Sequence, residues 1–323
     1  MAETTRARLD RLLRNADKQY REAFYAYVRE VRSSRVMDEI VEALENRDYS
    51  AAISIVQSHV QAFGTVLPTV FQAAAVEAFN EMAPSVSPSI GYAFDPTNPR
   101  AARMMRAEQL SLIREFSRTQ VEVVREALAE AFEAGEGSVG VARRIRNVVG
   151  LTSRQAGAIA NYRRLLASGN LDALTRDLRD RRFDRTVRAA ARAKRALTAS
   201  EIDRMVDRYR ERYLQYRAEM IARTESTRVT NLARQEAFEQ TLEQTGTRRD
   251  RVLRIWNATQ DHRTREAHAD MQGQERHMDE PFEDGDGNAL RFPGDPTAPP
   301  ETVIQCRCVL TMRFKRSEQP EIA

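Results

Sequence analysis

Two short stretches hold most of the residues that could do chemistry. WNATQDHRTREAHADMQGQ, residues 256–274, contains the only tryptophan and two of the four histidines, and VIQCRCVL, residues 303–310, contains the only two cysteines. Two thiolates with one or two imidazoles form the ligand set of a tetrahedral zinc site. Cys306, Cys308, His268 and His277 are the candidate ligands. Such an ion would tie together a loop-rich C-terminal unit whose apolar burial alone offsets chain entropy only narrowly. The Cys-x-Cys spacing departs from the usual Cys-x-x-Cys knuckle, so a second reading stands beside the first: reduced thiols that pack as small hydrophobes. A disulfide is disfavoured, because positions i and i+2 of an extended segment lie too far apart for an unstrained bridge.

Asp261 invites two readings as well. As a cap it would open a short helix from about Arg263 to Met271, with Arg263 and Arg265 held by Asp261 and Asp270 or turned toward phosphate. As a catalytic group it would join His262, His268 and a metal in a nuclease or nucleotide-processing centre. The sequence has no nucleophile elbow, no P-loop and no pair of carboxylates at metal spacing beside these histidines. With no complete catalytic set, the expectation is a protein that is not an enzyme. Trp256 reads as core, and His59, within the apolar SIVQSHVQAF, reads as structural.

These residues need elements to hold them. RVLRIWNA, 251–258, and TVIQCRCVLTMRF, 302–314, alternate in the manner of strands. Antiparallel pairing would bring Trp256 and Cys306 into one neighbourhood. Between them, EDGDGNALRFPGDPTAPPE excludes long helices. Upstream, apolar residues recur at helical spacing: Leu9, Leu12 and Leu13, then Phe24, Val28 and Val31, then Ile53, Val56, Val60 and Phe63. A long helix is expected over 101–135 and a longer one over 198–241, capped by Thr198 or Ser200 and ending near Gly246. The proline- and serine-rich stretch 82–100 excludes helix and reads as a linker. The predicted fold is therefore mainly α with a small C-terminal α+β domain, long helices followed by a loop-rich antiparallel sheet unit. Its divisions are an N-terminal helical region (1–81), a linker (82–100), a helical body (101–249), the α+β domain (250–315) and a tail (316–323).

Charge narrows the partners only a little. Net charge is +4 over 323 residues. The densest positive segment, 175–200, is either a solvated helix face with i to i+4 pairs or a phosphate-facing surface. In the second case Arg181, Arg182 and Arg185 would contact duplex DNA without sequence preference. No run of eighteen apolar residues and no signal-peptide core at the N-terminus are found, so no membrane segment is expected.

Taken in order, RAEMIARTESTRVTN, WNATQD, RTREAHADMQGQ, Phe282 before a glycine-rich turn, FPGDP and IQCRC resemble the phage Mu F-like minor head proteins, the phage head-morphogenesis family. The resemblance covers about residues 100–315. It rests on Arg223, Glu225, Trp256, Asp261, Arg263, Arg265, His268, Gly273, Pro293, Asp295, Cys306 and Cys308, with Gln305 where the family commonly has asparagine. It implies a low-copy component of a tailed-phage virion, in the capsid interior or at the portal vertex, made in the host cytoplasm. The implied partners are the portal protein, the major capsid protein or both, with packaged double-stranded DNA contacted without sequence preference, and the implied role is head morphogenesis or DNA delivery.

Overall fold

The computed structural model describes residues 5–86 and 93–315. It is mainly α-helical with a small C-terminal antiparallel sheet. The helices are α1 (Thr5–Val31), α2 (Ser34–Glu45), α3 (Tyr49–Ser58), α4 (Val66–Val86), α5 (Pro99–Glu133), α6 (Ser138–Val148), α7 (Ser153–Ala167), α8 (Asp184–Arg192) and α9 (Ala199–Thr245). The C-terminal elements are β1 (Val252–Asn257), α10 (Glu266–Asp270), β2 (Glu275–Arg276), β3 (Phe282–Glu283), β4 (Ala289–Leu290), α11 (Pro300–Val303) and β5 (Val309–Phe314).

Local chemistry sets the helix ends. Thr198 and Glu201 form a reciprocal cap at the start of α9: the Glu201 backbone N–H donates to the Thr198 hydroxyl, and the Thr198 N–H donates to the Glu201 carboxylate. Thr198, rather than Ser200, is thus the cap. Asn98 accepts from the Arg100 backbone N–H at the start of α5, and Pro99 takes the first helical position, where its missing N–H costs nothing. The exclusion of helix from 82–100 is corrected at both ends, because α4 runs to Val86 and α5 begins at Pro99. Residues 87–92 lie outside the described residues.

The chain divides into two compact units, both discontinuous in sequence. One comprises Glu22–Gly64 and Leu112–Glu219. Its core gathers Phe24, Tyr27 and Phe63 around Phe116, with ring centroids 6.0, 5.1 and 5.0 Å away. Beside them Gln120, fully buried, accepts from the Tyr27 hydroxyl and the Gly150 N–H and donates to the Leu151 carbonyl. In the same unit the arginine-rich tract is broken into short turns and α8, and Asp180 and Asp184 gather arginines around them.

The other unit comprises Met1–Arg21, Thr65–Ser111 and Met220–Ala323 and contains the sheet. Three strands lie in the order β2-β1-β5, all antiparallel, with Trp256 opposite Leu310 and Asn257 opposite Val309. The strand expected from residue 302 begins only at Val309. Residues 300–303 are the one-turn α11, and Gln305 has a φ of +59°, which breaks the extended path before the cysteines. A separate hairpin pairs β3 with β4.

Along its outer edge β5 has no strand neighbour among the described residues, and α9 supplies side chains on the approach to it and at its start. The Thr227 hydroxyl donates to the Cys306 carbonyl at 2.6 Å, and the Asn231 amide donates to the Cys308 carbonyl at 3.2 Å. Asn231 also accepts from the Leu310 N–H at 2.7 Å, and Arg234 Nε donates to the Leu310 carbonyl at 2.7 Å. From Thr227 to Asn231 four helical residues advance ~6 Å, close to the ~6.6–6.8 Å between alternate residues of an extended chain, and the long Arg234 side chain spans the next step from three residues on.

The segment Tyr49–Asn80 is long and apolar enough to cross a membrane by length and composition alone. The expectation that no such segment exists is corrected to that extent. The segment comprises α3, a 3-10 stretch and part of α4, and its Val56, Val60, Phe63, Leu67 and Phe71 are buried in the protein, which accounts for the apolarity as core.

Candidate functional site

β1 alternates buried and half-buried positions, which turns Val252, Arg254 and Trp256 inward. Trp256 is fully buried, with its ring 5.7 Å from that of His268 in an edge-on arrangement and 5.3 Å from that of Phe282. Its indole N–H has no hydrogen-bond partner among the described residues. Beyond β1 the chain returns to the sheet through Gly273, whose φ of +73° suits glycine, so that the Gly273 N–H reaches the Trp256 carbonyl and the Gln274 carbonyl accepts from Trp256 N–H.

Arg254 shares the inward face. Its guanidinium donates to the backbone carbonyls of His277, Glu280 and Arg291, and it lies 5.2 Å from the Phe282 ring centre. Burial pushes it down to about 10, so it remains a cation at neutral pH.

His268, on α10, is 2 % exposed, as are Cys306 and Cys308. Its Nδ1 lies 3.6 Å from the Cys306 sulfur and 3.5 Å from the Cys308 sulfur. All three ligand atoms fall within 4.8 Å of one another, and this is the one convergent group of three or more His, Cys, Asp or Glu side chains among the described residues. Both cysteines are free thiols. The Cys308 backbone N–H donates to the Cys306 sulfur at 3.4 Å. The Cys306 thiol is drawn below its ordinary range chiefly by a hydrogen bond between the two cysteine side chains, against burial. The same hydrogen bond, together with burial, drives the Cys308 thiol upward. A cavity of about 10 Å³ borders the trio and is lined also by Thr259, Arg263, Thr264 and Gln305.

The structure does not bring His277 to this group. That histidine follows β2, and its Nε2 lies 3.2 Å from the Lys315 amine. Asp261 and His262 are also outside it, so the catalytic arrangement expected of Asp261, His262 and His268 is not assembled. His262 is exposed, and the Asp261 carboxylate is gripped by Arg307 through two 2.5 Å hydrogen bonds, which hold it well below the usual carboxylate range. Asp261 caps a turn rather than a helix: it accepts from the Arg263 N–H at 3.0 Å, while α10 starts later, at Glu266. Arg263 approaches Asp261 at 3.8 Å, whereas Arg265 donates to the Ile304 carbonyl rather than to Asp270. Arg263 and Arg307 also line a cleft of about 280 Å³ with Arg6, Arg14 and Arg223.

The remaining motif residues make contacts within the protein. Arg223 lies 3.5 Å from Asp17, and the buried Glu225 lies 3.8 Å from Arg228. The Pro293 carbonyl accepts from Asn231. Gly294, with φ of +85°, lies so close to α9 that a Cβ would sit 3.0 Å from the Arg228 Cα. Asp295, 1 % exposed, accepts from the Arg291 guanidinium and backbone and from the Thr297 N–H and hydroxyl. Of the three expected DNA contacts, Arg182 is engaged by Asp180 at 2.6 Å. Arg181 and Arg185 are exposed, and no described residue pairs with them.

Asp295 sets a pH dependence. Burial alone would raise its carboxyl, but the hydrogen bonds from Arg291 and Thr297 outweigh burial and hold it at about 2. A carboxylate depressed in the folded state stabilises above the unfolded pKa near 4, and the contribution fades as pH falls through about 2. It is worth roughly 2 kcal/mol at neutral pH. The stability gap between the native chain and Asp295→Asn, followed by urea unfolding, is expected to be full at pH 6 and to close as acid is added; a gap independent of pH would contradict the assignment.

A family model described as "Phage Mu protein F like protein" matches residues 122–311, a span that includes the sheet as far as Thr311 and the whole His268–Cys306–Cys308 group. No curated protein and no solved structure matches the chain.

Proposed function

Since the chain belongs to the phage Mu protein F like family, with the model matching residues 122–311, we propose that it is a minor head protein of a tailed bacteriophage that acts in head morphogenesis. The family match is the observation that carries this reading. The use of the chemistry-bearing residues supports it: Asp261 is bound up with Arg307, Arg254 with backbone carbonyls, and Asp295 with its own turn.

In this reading the protein resides in the virion, at the portal vertex or in the capsid interior, and binds the portal protein or the major capsid protein. Arg181 and Arg185, exposed and without a described ion-pair partner, provide a sequence-independent contact with the phosphates of packaged DNA. The test is mass spectrometry and cross-linking on purified particles. The chain is expected at low copy number relative to the major capsid protein, with cross-links to portal or capsid peptides and a DNA adduct on the segment around Arg181 and Arg185. Absence from purified particles would reject the virion role. Presence without a DNA adduct would remove the DNA contact alone.

A further inference from the structure

A single imidazole nitrogen lies almost equidistant from two buried sulfurs, and hydrogen bonding explains that arrangement poorly. Nδ1 is either one donor or one acceptor, so one proton can serve only one of the two sulfurs well. The opposite nitrogen, Nε2, is buried and has no partner among the described residues. The polar contacts of the ring among the described residues are therefore those at Nδ1. We propose that His268 Nδ1 and the Cys306 and Cys308 sulfurs ligate one Zn²⁺ ion, with the fourth position left to solvent.

The distances fit. Zinc–sulfur bonds of ~2.3 Å and zinc–nitrogen bonds of ~2.0–2.1 Å at tetrahedral angles require nitrogen and sulfur to be about 3.6 Å apart. The observed separations are 3.5 and 3.6 Å. The surroundings fit as well. The Cys308 N–H directed at the Cys306 sulfur is the kind of backbone donor that steadies a metal-bound thiolate. The bordering cavity of about 10 Å³ has room for one water. Two thiolates neutralise the charge of the divalent ion, and the two-sulfur, one-nitrogen set favours zinc over the oxygen-seeking magnesium and calcium. No free carboxylate lines that cavity, so the ion serves as a clasp between α10 and the approach to β5.

The test uses the full chain expressed with zinc in the medium and purified without chelator. Elemental analysis is expected to find about one zinc per chain. His268→Ala and Cys306→Ser are each expected to lower zinc at least tenfold, while His277→Ala, which lies away from the group, leaves it unchanged. Because a cysteine variant can fail to fold, a second measurement uses the unaltered sequence. Cobalt added to the stripped chain should produce thiolate-to-cobalt charge-transfer absorption, and zinc, but not magnesium, should protect both cysteines from alkylation. Zinc below a tenth of an equivalent with no charge-transfer band would overturn the proposal. So would full zinc retention in His268→Ala, or a Cys306–Cys308 disulfide in the mass spectrum of the freshly purified chain.

Discussion

Substituting Asn231 by leucine is expected to destabilise the sheet-bearing unit by roughly 3–5 kcal/mol, since each buried polar group left without a partner costs about 1–3 kcal/mol. Asn231 is fully buried and serves three groups outside its own helix at once: the Leu310 N–H and the carbonyls of Cys308 and Pro293. Leucine has similar volume, so the loss is one of hydrogen bonds rather than space. Asn231→Asp keeps an acceptor for Leu310 but loses the donors and buries a charge, and should also be strongly destabilising. Native-state hydrogen exchange at the Leu310 amide, read against urea, measures the effect where it arises. A change under about 1 kcal/mol would mean that the stranded groups find other partners.

Truncation of Trp256 to alanine should cost about 3–5 kcal/mol, the range for removing a large aromatic from a closed core. The indole is fully buried and contacts both His268 and Phe282. Trp256→Phe offers a sharper comparison. The indole N–H has no described partner, so phenylalanine forfeits volume but no hydrogen bond, and about 1–1.5 kcal/mol is expected. Circular dichroism during urea unfolding provides the readout, since the variants lack the only tryptophan. Equal losses for alanine and phenylalanine would show that the N–H has a role the structure does not reveal.

Much of the helical architecture was legible because its signals are local. The cap at Thr198, the proline at the start of α5 and the apolar repeat through Phe24, Val28 and Val31 can each be read within a few residues. What could not be read depends on partners distant in the chain. The sequence around Cys306 alternates as a strand does, but Gln305 turns with positive φ, and the ladder starts only at Val309. The Asp261–Arg307 pair spans forty-six positions, so the carboxylate pointed to local partners on sequence alone. Arg254 stands where a strand reading expects an apolar side chain, and only the loops that present their carbonyls explain it. The convergence of His268 with the two cysteines was readable as a juxtaposition, because the only cysteines lie in the segment that enters the strand expected to pair beside the tryptophan. The absence of His277 from that group was not.

Thr227, Asn231 and Arg234 form a polar stripe at helical spacing within α9, and all three are buried. A buried polar stripe on a helix calls for acceptors and donors to meet it, and the sequence alone could have raised the question of which backbone supplies them.

The same stripe bears on how the sheet could meet other chains. An uncovered strand edge is a template on which a foreign strand can add, and assemblies that bring chains to high local concentration make such accretion more dangerous. Here the Cys306 and Cys308 carbonyls on the approach to β5, and the N–H and carbonyl of Leu310 near its start, are already taken by side chains from α9, and a helix offers no further edge to recruit. At the opposite side the sheet ends in β2, which has only two residues, too short to seed a lengthening ribbon. A helix thus occupies the start of one flanking strand, and brevity limits the other.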